Sequence, residues 1–128
     1  MAIEHLNPDS LHRNPAFTQV LRVVGASALV YVGGQNGIDA AGNIVADDLR
    51  GQTAQALRNV LAALAAVHAS QEHVVRLGIY IVQGGDVRQA FAAAQEVWGA
   101  HPSAITVLQV AALANPRFLV EIEATAAL

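Results

Sequence analysis

The two glutamates near the end of the chain, Glu121 and Glu123, are the residues whose type and spacing best fit acid–base chemistry. They stand two positions apart in an apolar run, so a β-strand there would carry both on one face. A carboxylate beside apolar surface keeps its proton nearer to neutral pH and can act as a general acid or base. The more common interpretation of such a pair is two solvated residues of a surface strand. Glu121 is nearer the centre of the strand and is the stronger candidate.

A glycine-rich run, Gly33-Gly34-Gln35-Asn36-Gly37, follows another apolar strand segment. Glycine imposes no Cβ clash, so the backbone N–H groups of such a run can approach an anion closely. The run is not a dinucleotide-binding fingerprint, because no helix follows it directly and the chain has no lysine. A simple turn is the more common interpretation, and both stay open on these residues alone.

Several reaction classes are excluded by residues that the chain lacks. It contains no cysteine, and all seven cationic side chains are arginines, which removes thiolate chemistry, Schiff-base lysines and a phosphate-loop lysine. The five histidines have neither the helical spacing nor the short alternation typical of metal sites. None of the serines lies in a G-x-S-x-G nucleophile elbow. We therefore expect no metal site and no cofactor.

Length and charge predict one small domain in the cytoplasm. The chain has 128 residues, 54% of them apolar and 13% charged, enough for one hydrophobic core. Its net charge is -3 and its arginines are scattered, whereas nucleic-acid-binding proteins concentrate positive charge on one face. No apolar run approaches the roughly 20 residues that span a bilayer, and residues 1–14 lack the apolar segment of a signal peptide. We expect a cytoplasmic protein that binds neither nucleic acid nor membranes.

The patterning predicts an arm over residues 1–16 and one α+β domain over residues 17–128. In the domain we expect a hairpin of Thr18–Val24 with Leu29–Val32, then a tight turn at Asp39–Asn43. Two amphipathic helices and three strands follow: a helix from Asp47 or Asp48 to near Ala69, the strand Val74–Val82, a helix from Asp86 to His101-Pro102, and the strands Ile105–Ala111 and Phe118–Ala126.

Phe91 and Trp98 lie on the apolar stripe of the second helix, where core packing is expected. Two helices cover one face of a mixed sheet, and the uncovered face is half apolar, which predicts a homo-oligomer.

Four stretches of the chain together resemble one known family, and the last two are specific in this order and spacing: Val32-Gly33-Gly34-Gln35, Gln52 to Leu64, Val110-Ala111-Ala112-Leu113 and Val120-Glu121-Ile122-Glu123-Ala124. On these stretches it resembles the reactive-intermediate deaminase family, also called Rid or YjgF-like. The resemblance runs from about Phe17 to the C-terminus. It implies a chorismate-mutase-like fold, a homotrimer, and ligand clefts at the boundaries between subunits.

The resemblance also implies a reaction and two residue roles. Active members of the family hydrolyse 2-enamines and 2-imines to 2-keto acids and ammonia. In the family pattern a glutamate handles the attacking water and an arginine clamps the substrate carboxylate. The glutamate corresponds to Glu121, and the glycine whose backbone meets the ligand corresponds to Gly34.

Three polar positions of the family pattern are apolar in this chain. The clamping arginine corresponds to Ile105, next to Thr106, and the pocket tyrosine and helix asparagine correspond to Phe17 and Phe91. A charge-assisted hydrogen bond is worth roughly 1.5–3 kcal/mol, and isoleucine supplies none. We therefore expect these residues, with Glu121, to line a cleft for a small, mostly uncharged carbonyl, enamine or aromatic molecule.

Three alternatives stay open. Arg22, Arg76 or Arg117, reaching the cleft from another strand or subunit, would restore the clamp and make the protein a 2-imine or 2-enamine deaminase. The family is also associated with endoribonuclease and translation-inhibitor labels, which the charge of this chain disfavours. A structural or regulatory trimer without chemistry is the last alternative.

Overall fold

The computed structural model describes all residues, 1–128. Its elements, in chain order, are β1 (Ala2–Leu6), β2 (Val20–Val24), β3 (Leu29–Gln35), α1 (Leu49–Ala65), β4 (Val74–Val82), α2 (Val87–Val97), β5 (Ala104–Val110) and β6 (Val120–Ala127), with a short 3-10 segment at Gln71–His73. Neither helix is long and apolar enough to cross a membrane. The elements confirm the predicted α+β class.

Strands β3 to β6 form a four-stranded mixed sheet in the order β3-β6-β4-β5. β6 pairs antiparallel with both β3 and β4, while β4 and β5 are parallel. Both helices lie on one face of the sheet, where α1 packs against β3 and β6, and α2 packs against α1. The large apolar side chains that are fully buried between these layers come from α1, β4 and β6: Leu57, Val60, Leu64, Ile81, Val120 and Ile122. The predicted arrangement of two helices on one sheet face is confirmed.

Local sequence determines where the two helices begin. The Asp48 carboxylate accepts a hydrogen bond from the Gly51 N–H at 2.9 Å, and the Asp86 carboxylate accepts one from the Arg88 N–H at 3.0 Å, as N-cap residues do. Both predicted starts are confirmed. α1 ends at Ala65, earlier than predicted, because the chain turns over residues 66–69 with His68 in the left-handed region at φ 58°.

The predicted hairpin between residues 18–24 and 29–32 is wrong. β2 pairs with β1, a strand inside the arm that the pattern did not reveal, and β3 pairs with β6. Glu4 lies opposite Arg22 in the β1–β2 register, and their side chains form an ion pair at 2.6 Å. Gly25, at φ 72°, turns the chain before β3 begins. The result is a two-stranded ribbon that is not hydrogen-bonded into the main sheet as a strand pair.

The apolar stripe of α2 is only partly buried. Trp98, which follows the helix, is 5% exposed and packs in the core as predicted. Phe91 is 53% exposed, so its predicted core position is wrong. Ala90 and Ala93 are the buried residues of the helix, and Val87, Ala94 and Val97 pack against the core beside them, which leaves the Phe91 ring on the outer flank.

One buried polar side chain ties the start of α1 to the start of β6. Gln52 is 1% exposed, and its side-chain N–H groups donate to the carbonyl oxygens of Ala46 and Arg117, both at 3.1 Å. Its amide oxygen accepts from the Leu119 N–H at 2.9 Å. Gly37 packs directly against Gln52, with no room for a side chain of its own. Gln52 therefore fixes the segment leading into β6 relative to the glycine-rich loop.

We expect Gln52→Ala to lower the free energy of unfolding by about 2–4 kcal/mol, because it leaves one N–H and two carbonyl groups beside a buried position without partners. Gln83→Ala, at an exposed position after β4, is the matched control and changes stability by less than about 0.5 kcal/mol. Urea unfolding followed by circular dichroism measures both variants. Equal stabilities would contradict the role given to Gln52.

Candidate functional site

The face of the sheet turned away from the helices carries the polar residues of the two central strands. In β6, Val120 and Ile122 are buried in the core. Glu121, Glu123 and Thr125 alternate with the core residues and point to the opposite face. The antiparallel register with β4 then aligns two rows of side chains. We call this whole face of the four-stranded sheet the open face; its two central rows are Glu121, Glu123 and Thr125 of β6 and Tyr80, Gly78 and Arg76 of β4.

Glu121 is half-buried where the open face meets the glycine-rich loop. Its Oε1 accepts a hydrogen bond from the Asn36 side-chain amide at 3.2 Å, and the same Nδ2 group donates to the Val120 carbonyl oxygen at 3.0 Å. Its Oε2 lies over Gly34, where an added Cβ would overlap that oxygen and stand 2.7 Å from the carboxylate carbon. The Asn36 amide therefore contacts the carboxylate on one side, and the backbone of Gly34 packs against it on the other.

A β-bulge in β3 brings this backbone close to the carboxylate. The β3–β6 register shifts between Val32 and Gln35, which leaves two residues of β3, Gly33 and Gly34, opposite one residue of β6. Gly34 does not have a positive φ. Glycine is needed at position 34 because of the close approach of Glu121, and not because of the backbone angle.

Glu123 forms a second polar cluster on the open face. The Tyr80 hydroxyl donates to Glu123 Oε1 at 2.8 Å. This hydrogen bond, together with the negative charge of Glu123, raises the pKa of the Tyr80 phenol. The Glu123 side chain lies over Gly78, so both glutamates of β6 rest on a glycine of a neighbouring strand.

Arg76 is the arginine of β4 on the open face. Its guanidinium donates to Thr106 Oγ1 at 3.3 Å and forms no ion pair with Glu121 or Glu123. A shallow cavity of about 310 Å³ opens between Arg76 and the edge of β3, and its lining includes Tyr31, Gly33, Gly78, Glu123 and Thr125. The open face therefore presents one cation and two carboxylates that are not paired with one another.

The structure brings two of the predicted site residues together, Glu121 and Gly34, and separates Ile105 from them. Ile105 is half-buried against the core on the helix side of the sheet, because it is paired with Leu77 in the parallel β4–β5 register. It also lies two strands across and three residues along from Glu121, about 10 Å in each direction. Within one chain, Ile105 and Glu121 cannot line the same cavity.

The other predicted ligand-binding residues lie elsewhere on the surface. Thr106 is exposed on the open face, and Phe91 is exposed on the outer flank of α2. Phe17 is half-buried beside Thr18, whose N–H donates to the Ser103 carbonyl oxygen at 3.0 Å near the start of β5. One chain alone therefore does not gather the predicted residues into a single cleft.

Asn36 belongs to the site although the sequence did not single it out. Its contact with Glu121 joins residues 85 positions apart, and no local pattern reports such a contact. The only sequence signal is its place in the glycine-rich run, which is equally typical of a turn. The chain holds no group of three or more His, Asp or Glu side chains placed to bind a metal ion.

The fold and this geometry define a class of small α+β domains, with both helices on one face of a mixed sheet and a glutamate over a glycine bulge on the other. A sequence profile of the endoribonuclease L-PSP family matches residues 11–128. The chain belongs to this family, which includes the Rid or YjgF-like proteins, and the predicted membership is confirmed.

Solved structures agree with this assignment. YyfB of Yersinia pestis, a Rid-family protein of unknown function, is 31% identical over 100% of both chains, with a TM-score of 0.88. Rv2704 of Mycobacterium tuberculosis, of the YjgF/YER057c/UK114 family, is 31% identical over 88% of this chain and 86% of its own, with a TM-score of 0.69. YyfA of Yersinia pestis, 24% identical over 99% of this chain and 100% of its own, shares the fold with a TM-score of 0.72. A comparison with curated proteins gives no significant match.

We expect Gly34→Ala to displace the Glu121 carboxylate and break its hydrogen bond with Asn36, because the new Cβ takes the space of Oε2. The group that must move is the end of a flexible side chain, so the unfolding temperature falls by no more than about 4 °C. Gly33→Ala is the matched control, since a Cβ there meets nothing within 4 Å. Crystal structures of the two variants measure the displacement, and an unmoved carboxylate in Gly34→Ala would contradict the packing described here.

Proposed function

We propose that the protein binds a small, mostly uncharged carbonyl- or enamine-type molecule in clefts between the subunits of a homotrimer, with Glu121 as the polar group that meets the ligand. The observation that carries the proposal is the Glu121 carboxylate, which Asn36 holds over the backbone of Gly34 and which is bonded to no arginine. A carboxylate with one free oxygen accepts a hydrogen bond from an enamine N–H, an enol or a water molecule.

Two copies of the chain are needed to enclose a ligand at this carboxylate. Glu121 lies on the open face, whereas Ile105 lies at the start of β5 on the helix side, and Phe17 precedes Thr18, which is hydrogen-bonded to Ser103 just before β5. A neighbouring subunit that sets the start of its own β5 against Glu121 would supply an apolar wall and close the cleft. Large apolar side chains exposed on the open face favour such burial: Leu29, Tyr31 and Leu108.

The same geometry disfavours a ligand that carries a free carboxylate. Such a ligand would place a second negative charge beside Glu121, with no guanidinium bonded to either group. Enclosing two like charges against an apolar wall adds the cost of removing both from water. A neutral ligand of the same shape avoids both penalties.

Hydrolysis of a 2-imine or 2-enamine is the second candidate function, and Arg76 is the observation that favours it. The guanidinium of Arg76 bonds only to Thr106 and lies on the same face as Glu121, one strand across and four residues along, so its long side chain is the cation of this face that a substrate carboxylate can meet. In this reaction water adds across the C=N bond, and its proton passes through Glu121 to the nitrogen. The carbinolamine then loses ammonia as its hydroxyl proton moves to the leaving nitrogen and the C=O bond forms.

Endoribonuclease activity, after which the family is named, gains little support from the charges of this chain. Three of its seven arginines are engaged in ion pairs with carboxylates: Arg22, Arg50 and Arg88. The net charge is -3, and the remaining four lie on separate segments, in the arm, on α1, on β4 and in the loop before β6, whereas phosphate binding uses positive charge concentrated on one surface.

Ligand charge separates the two candidates. We expect pyruvamide to bind at least about tenfold more tightly than pyruvate, which has the same size and a negative charge. Glu121→Ala should remove pyruvamide binding, because it deletes the hydrogen-bond acceptor. An NMR titration that follows the Gly34 amide measures both ligands.

A kinetic assay also separates the two candidates: 2-iminopropionate is formed in situ, and the rate of ammonia release is measured with and without the protein. The leading proposal predicts no acceleration by the wild-type protein. Acceleration that is lost in both Glu121→Ala and Arg76→Gln, together with tighter binding of pyruvate, would contradict it in favour of the deaminase.

We expect light scattering to give the mass of three 13.4-kDa chains. Tyr31→Glu should reduce this mass, because it places a charge in the contact between copies, and the side chain is 75% exposed in the single chain, so the fold tolerates the change. Val67→Glu, exposed beyond the end of α1, is the control and leaves the mass unchanged. A monomeric wild-type protein would contradict the assembly.

A further inference from the structure

The Asn36 side chain makes both of its hydrogen bonds around Glu121. Nδ2 donates to Glu121 Oε1 at 3.2 Å and to the Val120 carbonyl oxygen at 3.0 Å. We propose that Asn36 is a positioning residue, which orients Glu121 so that Oε2 and not Oε1 faces the ligand. The proposal rests on the proposed function of Glu121 and adds the residue that orients it.

The backbone of Asn36 is held in turn by α1. Asn59, half-buried on that helix, donates through its side-chain amide to the carbonyl oxygens of Asn36 and Ile38 at 3.0 and 2.9 Å. The Asn59 amide oxygen accepts from Gln55 Nε2 at 2.9 Å, one helical turn earlier. The contacts therefore run from Gln55 through Asn59 to Asn36, and end at the Glu121 carboxylate. The helix layer thereby determines the orientation of a group on the open face.

These contacts leave one carboxylate oxygen available. Oε1 is engaged by Asn36, whereas Oε2 accepts no hydrogen bond and lies over Gly34. The Asn36 amide is also bonded to the backbone at Val120, so it cannot follow the carboxylate if the Glu121 side chain rotates. Any other rotamer of Glu121 would lose the charge-assisted hydrogen bond.

The contact requires a hydrogen-bond donor at position 36. Aspartate has nearly the shape of asparagine but offers oxygen in place of N–H, so Asn36→Asp sets two carboxylates against each other. At lower pH such a pair shares one proton, and the hydrogen bond forms again. Combining Asn36→Asp with Glu121→Gln reverses the polarity of the contact, because the glutamine amide then donates to the aspartate.

The unfolding temperature of the ligand-free protein tests this contact. At pH 7 we expect Asn36→Asp to unfold at least about 4 °C below Asn36→Ala, and the difference to vanish by about pH 5. The double variant, Asn36→Asp with Glu121→Gln, should recover most of the loss at pH 7. Asn14→Asp adds the same charge and keeps the acceptor for the Ala16 N–H, so it is the control and shows no loss at pH 7.

Equal unfolding temperatures of Asn36→Asp and Asn36→Ala at pH 7 would overturn the positioning role. So would a double variant no more stable than Asn36→Asp alone. A merely structural role through the Val120 carbonyl gives the second result, because Asn36→Asp replaces the donor with an oxygen at that carbonyl and Glu121→Gln does not restore the bond.

A ligand measurement links the contact to function. Asn36→Ala should weaken pyruvamide binding about tenfold, because the carboxylate is no longer oriented. Wild-type affinity in Asn36→Ala would overturn the positioning role while leaving the proposed function in place. Absence of pyruvamide binding to the wild-type protein would instead overturn the proposed function, and the ligand-free comparison still decides whether Asn36 orients Glu121.

Discussion

The alternation of side chains along β6 is the constraint on which both the core and the candidate site depend. The strand is hydrogen-bonded on both sides, to β3 and to β4, and every second residue from Val120 to Ala126 is buried. A shift of one residue in this strand would expose the apolar set and bury both glutamates, so the register is strongly specified. The burial that closes the core thus also determines where the carboxylates lie.

Much of the fold could be predicted because its main elements carry strong local signals. The bounds of β4 were predicted to the residue, both helices begin at the aspartates expected to cap them, and the two faces of β6 follow from simple alternation. β1 is short and lies in a stretch rich in asparagine, histidine and proline, so its pairing with β2 left no such signal. Phe91 fits an apolar stripe, but whether a stripe is covered depends on the neighbouring elements.

The candidate site was predictable only in part, for a related reason. Glu121 follows from alternation in one strand, and Gly34 from resemblance to a family. The face on which Ile105 lies depends on the pairing of β5 with β4, and the contact of Asn36 depends on the pairing of β3 with β6. Both pairings join distant parts of the chain, and no local pattern in a single sequence predicts which strands pair. The positions of Ile105 and Asn36 relative to Glu121 therefore become visible only in the structure.

The close approach of Glu121 to Gly34 also constrains how this protein can change during evolution. A side chain at position 34 displaces the carboxylate while a glutamate occupies position 121, but a smaller residue at 121 would release that space. A lineage that loses the carboxylate first can then accept alanine or serine at the bulge, whereas the reverse order passes through a displaced acid. The order in which these two positions can change is therefore constrained. Glycine is kept at position 34 for as long as glutamate is kept at position 121, even without selection on the glycine itself.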